Sequence, residues 1–418
     1  MPQRKKKPST HQHQKLANAQ HRNEFFRRLK YVINGISGED VFSLIPKNVL
    51  ENLYDLRSHT LRVVVPIGYK APHEILFDAK CILSAWAKRE KIVIAPNGFE
   101  ISLDDYYSIA LTVMNFYNGL TTDKWPYVAI VKTGLDGFIT DSEILFNEAN
   151  TRLYGILQAF GIGICDMSKT LYWYKHEIVS SPDLGKGIHN VVSLFSHDLE
   201  SAVFVIGGHP RPVKRVGWAV AYKGIEWVEL KPSLFDVNSV NTETPMKVYV
   251  QSHALLRLAE RLDCFTTGLL HLNLYHSLKD AKVFYDNHGN ILIEYRFFDT
   301  KAGYLRLDIV NGAMVIRTFL FVTNNGTPEG QLLEKNTGLQ KLDKKYLAID
   351  KLSTFMSSDI GDNQEVRKIF EGAGCHCLLE LYEKVNVLST KHPEQPISKL
   401  LLEYLGRKNA LTSLELYE

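Results

Sequence analysis

Cysteine is scarce in this chain of 418 residues: Cys81, Cys165, Cys264, Cys375 and Cys377 are all there are, and they are scattered. That excludes a disulfide-stapled secreted scaffold and suits a reducing compartment, so the expected location is cytoplasmic. No stretch approaches the roughly 18 uninterrupted apolar residues of a membrane-crossing helix, so no membrane partner is expected. The basic N-terminus is not followed by the apolar run of a secretory signal. Internal repeats, a Walker-type phosphate loop and a nucleophile elbow are missing as well, and Gly185-Lys186-Gly187 is too short a glycine motif to cradle a phosphate. Cys375-His376-Cys377 lacks a second ligand pair at zinc spacing, and thiolates one residue apart are not the usual chelating step. Neither metal nor cofactor is therefore expected.

What is present is the composition of a soluble globular protein, 45% hydrophobic and 23% charged, on a chain long enough for two or three domains. The net charge of +3 conceals an asymmetry. Residues 1–30 hold nine Lys and Arg against one acid, Glu24, which leaves 40 basic and 45 acidic residues elsewhere. The basicity is thus local. Residues 1–30 read as a basic arm, disordered at first and helical from about Gln14 to Ile33, with Phe25, Phe26, Leu29, Val32 and Ile33 forming an apolar stripe. Such an arm either solubilises the chain or contacts nucleic-acid phosphates through Arg4, Lys5, Lys6, Lys7, Arg27 and Arg28.

Residues 31–175 read as a mainly helical domain, with helices at 48–56 and 73–89, one capped by Ser102 and one opened by the Thr140/Glu143 capping box. Residues 176–245 form a β-containing connecting region: strands at 216–222 and 225–230, a basic proline-stiffened loop at 209–215, and a polar boundary at 236–244. Residues 246–330 read as an α+β module, and 331–418 as a helical C-terminal region. The fold class is α+β, multidomain, with an antiparallel four-stranded sheet packed on a helix at its centre.

That module carries the clearest pattern. A strand at 248–250 leads into SHALLRLAERL, for which Ser252 is the predicted N-cap. Leu255, Leu258, Ala259 and Leu262 share one face, while His253, Arg257 and Arg261 stand at i, i+4 and i+8 on another. Three such groups in a row call for a counter-charge, either protein carboxylates or phosphate. Apolar strands follow at 282–286, 291–298, 304–310 and 314–322. Asn311-Gly312 is a two-residue hairpin signal that sets Val310 opposite Ala313 and Arg306 opposite Arg317. A loop centred on Lys301 sets Arg296 opposite Arg306. Three arginines then form one row, with Phe298, Tyr304 and Phe319 in the next. Like charges in a row destabilise a sheet, so the row needs Glu294 and Asp308, or coverage by other parts of the chain, or an anion.

The His-Ala-x-x-Arg helix followed by a twisted antiparallel sheet with basic mid-strand residues resembles the RelE/ParE/BrnT-like small toxin fold. The resemblance implies a compact α+β module and, as in the ribonuclease members, metal-free RNA cleavage. It implies phosphate contacts at Arg296, Arg306 and Arg317, an acid or base at Tyr304 or His253, and Arg257 orienting the scissile group. Three functions are therefore expected to compete. The first is nucleic-acid binding, with RNA the partner rather than DNA. The second is a metal-independent ribonuclease. The third is a non-catalytic scaffold whose arginine face is covered by protein, its own C-terminal helices or a partner's.

Overall fold

The computed structural model describes residues 10–121, 125–235, 243–386 and 397–415. The chain divides into two compact units: residues 1–161 with 173–196, and residues 162–172 with 197–418. The fold class is α+β, as expected. Among the described residues no helix is long and apolar enough to cross a membrane.

The first unit is built on α1 (Thr10–Ser37). Phe25, Leu29, Val32, Ile33 and Ile36 recur at helical spacing on it and are buried, so this helix is held by its apolar stripe. It packs on α2 (Lys47–Asp55) and on α6 (Val128–Thr140). A basic arm ending at residue 30 is therefore corrected: from Phe25 onward the segment is core. Arg28 is not a free cation either. Its Nε donates to Asp105 Oδ1 at 2.6 Å, and its Nη2 to Asp104 Oδ2 and Ser108 Oγ, each at 2.8 Å. Arg27 is exposed and shared with Glu24. Arg4, Lys5, Lys6 and Lys7 lie outside the described residues.

After β1 (Arg62–Val64), α3 (His73–Arg89), β2 (Lys91–Val93) and β3 (Glu100–Ser102), Ser102 caps the next helix as predicted. Its Oγ accepts from the Asp105 N–H at 3.0 Å. That helix runs as α4 (Leu103–Asp105), a π-turn (Tyr106–Ala110) and α5 (Leu111–Asn118). After α6 and α7 (Ser142–Ile164) come β4 (Thr170–Val179) and β5 (His189–Asp198), with β5 central between β4 and the parallel β1.

The second unit is organised on a mixed sheet. Its strands are β6 (Ser201–Ile206), β7 (His209–Arg215), β10 (Glu229–Leu230), β11 (Met246–Gln251), β12 (Val283–Tyr285), β13 (Ile291–Phe297), β14 (Thr300–Val310) and β15 (Ala313–Phe321). The order is β12-β13-β14-β15-β11-β7-β6, with β10 on β11. The expected meander β12 to β15 is there, but β11 extends it in parallel beside β15. Segment 209–215, expected as a loop, is strand β7, turned back from β6 by Gly207 and Gly208, both at positive φ. A module beginning at residue 246 would cut this sheet, because β6, β7 and β10 belong to it. The hairpin β8 (Gly217–Val220) and β9 (Gly224–Trp227) stands apart. The polar boundary falls largely on residues 236–242, outside the described ones.

Helices cover both faces of this sheet. On one, α8 (Ser252–Arg261) packs on β15 and β11, and α9 (Thr267–Lys279) packs on β13. The C-terminal helices follow: α10 (Pro328–Thr337), α11 (Lys341–Tyr346), α12 (Leu352–Ser357), α13 (Gln364–Gly372), α14 (His376–Asn386) and α15 (Ile397–Glu415). Of these, α14 packs on β14, and Glu329 of α10 reaches Lys301 and Tyr304 on the face that holds the basic residues.

The register departs from expectation at both hairpins. Asn311-Gly312 makes the predicted turn, with φ of 50° and 75°, and Val310 faces Ala313. A bulge at Arg306/Leu307 then sets Arg306 opposite Thr318 and leaves Arg317 outside the ladder. The other turn is not centred on Lys301. It is Phe298-Asp299, two non-glycine residues at φ 47° and 59°, so Arg296 faces Lys301 and Arg306 faces Leu292. A left-handed turn without glycine or asparagine carries little sequence signal.

Candidate functional site: a cationic cleft in the second unit

The arginine row does not form, and each member has an internal partner. Arg296 Nε is 2.9 Å from Glu294 Oε1, Arg317 Nη1 is 3.0 Å from Asp308 Oδ2, and Arg306 Nη2 donates to Asn290 Oδ1 at 2.6 Å. The aromatic row is no stacking platform: Tyr304 and Phe319 are buried and only Phe298 is exposed. Tyr304 is also no acid or base for a bound substrate. Its hydroxyl donates to Glu329 Oε1 at 2.9 Å, and burial, reinforced by the Glu329 charge, holds the phenol far above its ordinary range. These assignments are corrected. The residues were placed in one row by a register that the bulge at Arg306/Leu307, a second at Tyr295/Arg296 and the Phe298-Asp299 turn displace.

The other basic series survives. Ala254, Leu255 and Leu258 of α8, with Leu262 just after it, turn inward, so the helical period leaves His253, Arg257 and Arg261 on a face of their own. Ser252 is the first helical residue rather than the cap; Gln251 holds the cap position, without a side-chain bond. The three basic residues line one wall of a cleft of about 760 Å³. Its floor is Thr318, Phe319 and Leu320 of β15 with Asn324, Asn325 and Gly326, and α11 supplies Lys341, Lys344 and Lys345. Gly330 lets α10 close onto this floor, since a Cβ there would lie 1.8 Å from Asn324 O.

Among the described residues one acid, Asp350, lines the cleft, and it is bonded to Arg261. Lys344 is almost fully buried and donates to Asn325 Oδ1 and Gly330 O, each at 2.7 Å. Burial pulls its ammonium below the usual lysine range, against Glu334 and Asp343, which act the other way. Arg261 and Lys344 therefore shape the walls. Arg257, about 40% exposed, shares Glu260 at 2.6 Å. Lys341 and Lys345 are exposed, and among the described residues neither pairs with a carboxylate. His253 is exposed on the same wall. A concave surface with this charge excess concentrates anions.

Of the sequence-derived site residues, His253 and Arg257 thus come together and Tyr304 lies elsewhere. The three lysines of α11 were missed. Their signal is the run KLDKKY at 341–346, whose Asp343 accepts from the Gln340 N–H at 2.7 Å, a helix start with charge on one side. Cys375 and Cys377 are buried while the intervening His376 is exposed, so the three do not converge. No family model, curated protein or solved structure matches this chain.

Proposed function

We propose that this protein binds nucleic acid, RNA rather than DNA, by accepting backbone phosphates in the cleft between α8 and α11. The observation that carries this is the pair Lys341 and Lys345, uncompensated among the described residues, lining the same cleft as Arg257 and His253, where Asp350, the one acid among the described lining residues, is taken by Arg261. Lysines without local partners neutralise phosphates and release counterions. Tyr346, 71% exposed beside Lys345, offers a ring to an unstacked base, a mode that single-stranded RNA presents more than duplex DNA.

Fluorescence anisotropy with a labelled single-stranded RNA and a DNA duplex of equal length tests the reading. Lys341→Glu with Lys345→Glu should abolish RNA binding, while Arg306→Gln, on the covered sheet face, should leave it unchanged. Binding that survives the double reversal sinks it. The exposure of His253 among these cations keeps a metal-independent ribonuclease as second reading. RNA cleavage in EDTA that His253→Ala removes would establish it.

A further inference from the structure

The first unit has a cationic cleft of its own, of about 420 Å³, lined by His59, Thr60, Leu61, Arg62, Val63, Lys80, Leu184, His189 and Asn190. No acidic side chain is among them. The imidazoles of His59 and His189 stack 4.3 Å apart at an interplanar angle of 5°. Nε2 of His59 lies 3.1 Å from Lys186 O and Nε2 of His189 lies 3.4 Å from Gly185 O. A carbonyl only accepts, so both rings carry their proton on Nε2 and keep a lone pair on Nδ1.

The pair is held firmly. Asn190, fully buried, donates to Ser58 Oγ at 3.0 Å, His59 O at 2.6 Å and Tyr107 O at 3.1 Å. Gly187 sits at φ +94°, where a Cβ would be 2.3 Å from Arg57 O, so the 185–187 loop closes on Arg57 only with glycine. The stacked pair lines the same cleft as Arg62 and Lys80, so a charge on His59 is added to a site that already carries two cations.

We infer that this cleft is a second anion site, at which a phosphate group of a small molecule is held by Arg62, Lys80 and the Nδ1–H that His59 gains by taking up one proton on binding. The charged groups around the pair set that linkage. Arg57, the His189 ring and His21 oppose a proton on His59, Arg62 and Lys80 line the same cleft, and Lys186 is engaged by Asp55 at 3.1 Å. Burial, with Arg57 next among the charges, holds His59 below the ordinary imidazole range. An oxyanion between the rings and the two cations removes both penalties, so anion and proton bind together. The volume is that of a small-ligand pocket.

The site is independent of the RNA reading and can be tested with the other cleft disabled. Sulfate, whose charge does not change between pH 6 and 8, is titrated by calorimetry into the full chain carrying Lys341→Glu and Lys345→Glu, with ring NMR signals of His59 and His189 followed in parallel. Sulfate should bind about tenfold more tightly at pH 6 than at pH 8, the effect of one linked proton over about one pH unit. His59→Gln, which can still donate to Lys186 O, should erase that difference, and Arg62→Ala or Lys80→Ala, both on exposed residues, should weaken binding at either pH. Inorganic phosphate and a nucleoside monophosphate then distinguish a free from a carried phosphate; tighter binding of the latter assigns the site to a mononucleotide. Equal sulfate affinity at both pH values, unmoved histidine signals, or binding indifferent to Arg62→Ala and Lys80→Ala would overturn the inference.

Discussion

Removing Lys341 and Lys345 should change not only how tightly RNA binds but how steeply binding depends on salt. Among the described residues three cations of the second unit's cleft are available to phosphate: Lys341, Lys345 and Arg257, whose exposed pair with Glu260 is weak enough for a phosphate to replace, whereas Arg261 is committed to Asp350 and Lys344 to Asn325 and Gly330. For a single strand each neutralised phosphate contributes about −0.7 to the slope of log K against log salt, so three give about −2.1. Between 50 and 200 mM salt the affinity should fall about 18-fold. In the Lys341→Ala, Lys345→Ala protein one contact remains, the slope flattens to about −0.7, and the same interval costs only about 2.6-fold. Anisotropy titrations at four or five salt concentrations measure both slopes. A wild-type slope near zero, or one that the double substitution leaves unchanged, would refute phosphate neutralisation in this cleft.

Other consequences follow from residues around the site and in the core. Glu329→Gln should destabilise the second unit by roughly 2–4 kcal/mol in urea unfolding, because Lys301 is left with a half-buried, uncompensated charge; replacing both partners by Leu and Met should recover most of the loss. His271 is buried, and its Nδ1 accepts the Met167 N–H at 3.0 Å, so it must be neutral when folded. Burial lowers it to about 4 against an unfolded 6.5. The unfolded chain therefore binds the proton first, and stability is lost as pH falls from about 6.5 and levels off below about 4. Between pH 7.5 and 5 the wild type should lose about 2 kcal/mol more than His271→Gln does, measured by urea midpoints at each pH. Deleting residues 1–30 removes the buried Phe25 and Leu29 and should lower the first thermal transition by many degrees or abolish it. An unchanged first transition would contradict the packing of α1.

Local pattern made much of this protein legible in advance. The stripe of α1, the Ser102 cap, the α8 helix with its basic face, the Asn311-Gly312 turn and the four-stranded meander all follow from periodicity or turn chemistry within a few residues. So did the observation that His253, Arg257 and Arg261 share a face and need a counter-charge, which is now the wall of the cleft. Long-range pairing was another matter. The arginine row depended on a register set by Phe298-Asp299, where no glycine announces a turn, and on a bulge at Arg306, which no residue type marks. A slip of one residue moves a side chain to a new neighbour and the argument with it.

By itself, then, the amino-acid order determined most of the helices and the strands of the meander, and that one helix carries a cationic face, because those properties are set by neighbours a few positions away. Tertiary structure alone decided which cations have partners. It spent Arg28 on Asp104 and Asp105 and shared out Arg296, Arg306 and Arg317 among Glu294, Asn290 and Asp308. It also brought Lys341 and Lys345, some 80 residues along the chain, into the same cleft as Arg257. Whether a charge is available for a ligand depends on what stands within about 4 Å of it, and that distance is a property of the fold.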